Sequence, residues 1–251
     1  MQNFKKEVQL FMIFDILGDI ERTGPHMWQI KRFRLEDVKN HILDLLLIAR
    51  ILKQHFPNII DYNKLTDYII CHDLPEAITG DITKFEGVSE EERQRVTKLA
   101  IDYLSKQFSD IIDLKTILEN YEQRNDLESK IVNMIDKVHS STTFIKYESE
   151  NHINYDDPNI IPILRNLPFV VERISEGKDV ADIFFEFHIR AVTISDEECR
   201  KYNISREEAD IIVNTIRGFA KEFYKQKQNK TLLSVKDKFP KEAMQYKKTN
   251  Y

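Results

Sequence analysis

Between residues 38 and 52 the apolar side chains Val38, Ile42, Leu45, Leu46, Ala49 and Leu52 recur at helical spacing, which gathers them on one face of an α-helix. Leu127, Ile131, Met134, Ile135 and Val138 repeat the pattern in a second long segment, with Asp136 beside the stripe. Glycine and proline, which break such segments, number only six and seven in 251 residues. With 41% hydrophobic and 31% charged residues the chain is rich in helix formers and long enough to bury an apolar core. The expected fold class is all-α.

The helices can be placed along the chain. Phe4, Val8, Phe11 and Met12 predict a first amphipathic helix, with Lys5, Lys6 and Gln9 facing outward, that is over by Gly24-Pro25. A surface loop follows from Arg22 to Leu35 and carries the cluster Lys31-Arg32-Phe33-Arg34. A helix over 36–56, stopped by Pro57, holds His41 near its start. The next runs from about Tyr62 to Thr79 with Leu65, Ile69, His72, Asp73 and Glu76 on neighbouring positions, kinked at Pro75 and capped by Gly80. Ser89 with Glu92 opens a helix to about Phe108, and others cover roughly 114–121 and 127–148. Further helical segments are expected near 159–175, 179–188 and 205–225, the last opened by Ser205 and Glu208. From 225 to 251 eight lysines face only Asp237 and Glu242, the pattern of a solvated tail.

Several function classes are disfavoured by bulk properties. A net charge of -5 gives no basic face, so nucleic acid is not an expected partner. Val8 to Leu17 is apolar but broken by Asp15 and closed by acidic residues without a cleavage site, unlike a signal peptide. No run of about 18 apolar residues offers a membrane span. Two cysteines, Cys71 and Cys199, are too few for a disulfide framework and suggest a reducing, cytoplasmic setting.

The chemistry concentrates at His72-Asp73. A carboxylate and an imidazole side by side in an apolar helix are costly to bury unless both are satisfied, and a cation satisfies both. His41 upstream and Asp136 downstream complete two imidazoles and two carboxylates, a donor set suited to Zn, Mn, Fe or Co.

The order His41, His72-Asp73, Asp136 resembles the H…HD…D pattern of the HD-domain phosphohydrolases. The eleven residues from His72 to Ile82, HDLPEAITGDI, are similar to the signature of the HD-domain 5'-deoxynucleotidases. Arg22-Thr23-Gly24, Trp28 and Glu36-Asp37-Val38 leading to His41 also resemble that family, although Pro25-His26-Met27 stand between Gly24 and Trp28 where relatives have the two adjacent. The resemblance covers about residues 5–165. It implies an HD-domain helical bundle over 1–165; the helical extension over 166–251, ending in the basic tail, is read from the helical segments alone.

From the resemblance follow a divalent metal (Mn, Co, Zn, Fe or Mg) on His41, His72, Asp73 and Asp136, and Glu76 and Asp81 in the catalytic site. Arg22 and Arg32 are the candidates for phosphate, and Trp28 for sugar or base. The expected activity is removal of the 5'-phosphate from (deoxy)nucleoside monophosphates, with a deoxynucleotide triphosphohydrolase or a catalytically inactive nucleotide sensor as alternatives. A nucleotide substrate is the expected partner, a membrane is not, and a homodimer is left open. Elsewhere the plain readings stand: His26, His55, His139, His152 and His188 as surface or core histidines, Lys31 and Arg34 as a solvated face, Cys71 as a small buried hydrophobe.

Overall fold

A computed structural model describes residues 4–31, 34–83, 87–154 and 180–228, together with Glu172 and Glu176. In chain order the helices are α1 (Lys5–Ile16), α2 (Thr23–Met27), α3 (Val38–Leu52), α4 (Tyr62–Cys71), α5 (Glu76–Thr79), α6 (Glu90–Phe108), α7 (Leu114–Gln123), α8 (Leu127–Ser149), α9 (Val180–Ala191), α10 (Asp196–Tyr202) and α11 (Arg206–Gln228). The described residues form no strand; a single antiparallel bridge pairs Glu21 with Asp37. The fold is all-α, as the periodicity predicts. No described helix is long and apolar enough to cross a membrane. The expected helix over 159–175, most of the basic tail and Arg32 lie outside the described residues.

The helix starts are built from short acceptors. Asp37, Asp61, Ser89, Asp113 and Asp126 each accept a backbone N–H from the first turn of α3, α4, α6, α7 and α8. Such a cap is worth about 1 kcal/mol. Ser205 and Glu208 form the reciprocal box expected at α11, whereas at α6 only half of it exists, because Glu92 is taken by Arg95 at 2.7 Å. Ser195 and Glu198 make an unforeseen box that starts α10.

Helix α8 is the axis of the molecule. Ile131, Val132, Met134 and Ile135 are all 0% exposed, and the helix packs on α3, α4, α7, α9 and α11. A helix covered on so many sides buries polar side chains as well, Glu128, Ser129, His139, Ser141 and Thr142 among them, and a buried polar group needs a partner. One continuous core joins Leu45, Ile69 and Leu104 to Ile212, Ile216 and Ala220 of α11.

Two expectations about local structure are corrected. In α1 the stripe Phe4, Val8, Phe11, Met12 is exposed, by 53–65%, and it is Leu10, Ile13, Phe14 and Leu17 that meet the core. Both stripes are apolar, so periodicity alone could not choose; the Lys39–Asp15 and Lys6–Asp110 ion pairs go with the observed orientation. The helix expected over 62–79 is broken earlier than Pro75: α4 ends at Cys71, residues 72–75 form a turn, and Glu76 begins the one-turn α5. Gly80 follows with φ +73°, a backbone conformation that L side chains rarely adopt.

Candidate metal and phosphate site

Four elements bring the polar groups together. The Glu21–Asp37 bridge, with Val38 N–H donating to Ile20 at 2.9 Å and Arg22 N–H to Glu36 at 2.8 Å, lays the Arg22 segment beside the first turn of α3. That turn carries His41, 0% exposed. The end of α4 supplies His72 and Asp73, and the middle of α8 supplies Asp136.

The distances are those of groups arranged around one point. His41 Nε2 lies 3.2 Å from Asp136 and 3.6 Å from Asp73, and His72 Nε2 lies 3.2 Å from Asp73. Donors about 2.0–2.2 Å from a common tetrahedral ion are separated by roughly 3.3–3.6 Å. His72 Nδ1 sits 2.9 Å from the Ile69 carbonyl, so its proton belongs on Nδ1 and the Nε2 lone pair faces a carboxylate that can only accept. His41 Nε2 and His72 Nε2 are both buried with no hydrogen-bond partner. Two bare imidazole lone pairs converging on two carboxylates fit a divalent cation, and the donor set of nitrogen and oxygen suits a transition metal.

The electrostatics favour a neutral His41 and ionised Asp73 and Asp136, while at His72 burial is outweighed by Asp73 and Asp136, which raise its pKa. Burial, aided by Arg22, lowers His41 to about 4 and keeps it neutral near pH 7. Burial alone would raise Asp73, but His72, His41 and Arg22 outweigh it and hold the carboxyl at about 2. Asp136 is likewise held below the usual carboxylate range, its burial outweighed by His41, Arg22 and His72. Glu76 goes the other way: burial and the negative charges of Asp73, Asp81 and Asp136 push it well above its ordinary value. Its Oε2 is buried and unpartnered.

Arg22 bridges the acidic groups, 3.4 Å from Asp73 and 3.8 Å from Asp81. Asp81 also accepts the Thr23 N–H at 2.7 Å and, through its backbone carbonyl, the Thr23 hydroxyl. The loop after Gly80 is thereby tied to the start of α2. Pro25-His26-Met27, absent from the pattern the sequence resembles, wind into that short helix and deliver Trp28 to the wall of a cavity of about 220 Å³. Arg22 and Asp81 stand on its lining with Trp28, Phe144, Tyr147 and Phe184. Trp28 is 6% exposed and meets Phe144 and Phe184 edge to face at 5.0 and 4.7 Å.

The structure thus brings His41, His72, Asp73, Asp136, Arg22, Glu76 and Asp81 to one place and Trp28 to the adjoining cavity; Arg32 is not among the described residues. Sequence reasoning missed Phe184 and His188, which α9 contributes to the cavity, because nothing local connects them to it. It also missed Glu36, Asp44 and His139, which cluster behind His41. A signal for these existed: Asp44 lies three residues after His41 and His139 three after Asp136, so each pair shares a helix face.

The HD domain family matches residues 14–160. A 5'-deoxynucleotidase of Xenopus laevis is 24% identical over 144 residues, 55% of this chain and 69% of that protein. One of Schizosaccharomyces pombe is 24% identical over 153 residues, 58% of this chain and 76% of that protein. One of Saccharomyces cerevisiae is 29% identical over 131 residues, 49% of this chain and 53% of that protein. With the family match spanning more than half of its length, this chain belongs to the HD domain family.

Proposed function

We propose that the chain is a metal-dependent phosphohydrolase that removes the 5'-phosphate from deoxynucleoside monophosphates. The observation that carries this reading is the pair of buried, unpartnered Nε2 atoms of His41 and His72 facing Asp73 and Asp136. The resemblance of HDLPEAITGDI to the deoxynucleotidase signature and the similarity to curated 5'-deoxynucleotidases support the choice of substrate.

His41, His72, Asp73 and Asp136 would hold the ion. A divalent metal there supplies Lewis acidity, polarising a phosphate oxygen and making hydroxide available near neutral pH. Arg22, with its charge already set against Asp73 and Asp81, binds the phosphate in a charge-assisted contact. Asp81 keeps Arg22 and the start of α2 against the site. Glu76, with its raised pKa, orients the attacking water and takes its proton. The water oxygen bonds to phosphorus as the bond to the 5'-oxygen breaks, and that oxygen takes up the proton Glu76 accepted and leaves as the free nucleoside, which returns Glu76 to its carboxylate. The cavity of about 220 Å³ behind Arg22 offers aromatic walls to a sugar and base.

The test is a panel of deoxynucleoside mono-, di- and triphosphates with Mn, Co, Mg and Zn, read as released phosphate species. Orthophosphate from the monophosphates is expected. Intact triphosphate released from a triphosphate would assign the triphosphohydrolase activity instead, and bound metal without turnover on any nucleotide would assign a sensor.

A further inference from the structure

Behind His41, away from Asp73 and Asp136, lies a second imidazole. His139 is 4% exposed, and its Nδ1 stands 3.0 Å from His41 Nδ1. On its far side Nε2 is 3.2 Å from Asp44, 3.5 Å from Glu36 and 3.4 Å from the Thr143 hydroxyl. Asp44 opens into a cavity of about 410 Å³ lined also by Glu36, Asn40 and Thr143.

For an ion held by His41 Nε2, proton bookkeeping leaves one arrangement, although Glu36, His41 and His139 also lie close enough together to hold an ion of their own. Two ring nitrogens at 3.0 Å share one proton: two lone pairs would repel and two N–H groups would clash. An imidazole that coordinates through Nε2 keeps its proton on Nδ1, so His41 must donate and His139 Nδ1 must accept. A neutral His139 then carries its own proton on Nε2, where it meets Asp44 and Glu36, which as carboxylates can only accept. The reverse assignment would aim the His41 proton between Asp73 and Asp136 and set a bare His139 Nε2 against two more carboxylates. His72 achieves the same end with a backbone carbonyl, that of Ile69 at 2.9 Å.

We propose that His139, held by Asp44 and Glu36, is a positioning residue that fixes the His41 ring with its Nε2 lone pair toward the metal. The inference rests on the metal site proposed above, and it is tested by metal affinity, which does not require any particular substrate. Outer partners of a metal-bound imidazole typically contribute 10–100-fold in affinity.

The experiment is titration of the metal-free full chain with Co²⁺ or Mn²⁺, followed by calorimetry and, for Co²⁺, by absorption. Three variants are compared: His139→Leu removes the acceptor, His139→Asn keeps an oxygen where Nδ1 stood, and His139→Gln has equal polarity with its acceptor farther out. Circular dichroism and the melting temperature of the metal-free forms verify folding. His139→Leu is expected to bind the ion about 10–100-fold more weakly, His139→Asn close to the parent, and His139→Gln in between. If the leucine variant does not fold, the contrast between asparagine and glutamine decides. Unchanged affinity in His139→Leu, or equal affinity of the asparagine and glutamine variants, would overturn the proposal. So would a parent that binds two ions where the variants bind one, since His139 would then be a ligand itself. No metal binding by the parent would instead remove the function proposed above.

Discussion

At the scale of single residues the proposed site separates groups that would hold charge from groups that would move protons. Asp136 lies 3.2 Å from His41 and would contribute one of the two negative charges that a divalent ion needs. Asp136→Ala is therefore expected to lose bound metal and turnover together, checked by metal analysis after dialysis and by phosphate release; full activity in a metal-free variant would refute the assignment. Glu76 differs, because its buried Oε2 has no partner and its pKa is raised, the signature of a proton acceptor. Glu76→Ala should keep the ion while turnover falls by about 10²–10⁴-fold with little change in nucleotide affinity. Loss of the ion in that variant would make Glu76 a ligand. Glu76 was legible in the sequence because it sits within five positions of His72 and Asp73, and Asp136 because it lies beside the apolar stripe of its helix. His139 was legible only as a residue on the helix face of Asp136; its meeting with His41, 98 positions away, is set by packing.

At the scale of elements, α8 depends on its first residues. Asp126 accepts the Ser129 N–H at 2.9 Å, the Tyr68 hydroxyl at 2.5 Å and the Lys64 ammonium at 2.9 Å. Burial would raise its pKa, but these donors prevail and set it below the ordinary 3.8. A depressed folded value means the unfolded chain binds the proton more readily, so the stabilisation is complete above pH 3.8 and fades as pH falls through the lower folded value. Asp126→Ala should cost about 1–2 kcal/mol near neutrality. Chemical denaturation over a pH series should show the gap to the parent closing under acid conditions, and a constant gap would exclude the linkage. Helix α9 makes a different contribution, the Phe184 ring that meets Trp28. Phe184→Ala is expected to raise KM for a deoxynucleotide roughly 3–10-fold with kcat unchanged, the value of about one aromatic contact. Equal effects on KM and kcat would place Phe184 nearer the reacting atoms. The faces of α3 and α8 could be read beforehand because each has one apolar stripe or none to spare, whereas α1 has two, and only its ion pairs and Leu17 show which one is inward.

At the scale of the whole molecule the ion ties together segments far apart in sequence, since its proposed ligands come from α3, the end of α4 and α8. Anything that binds the native state alone stabilises it, by about 2.7 kcal/mol at a hundred times Kd. Chelation should lower the melting temperature, and re-addition of the ion should restore it; a melting temperature indifferent to the ion would mean that the ligands are not joined by it. The core extends beyond the residues 14–160 that the family comparison covers, through α9 and α11 against α8. This architecture has a consequence in time. A ribosome adds about 5–20 residues per second, and about eighty residues separate the end of α8 from the end of α11. Every proposed ligand is therefore translated several seconds before Ile212, Ile216 and Ala220 arrive to cover their side of α8. The nascent chain carries its complete chemistry while the scaffold that will make it rigid is still being synthesised.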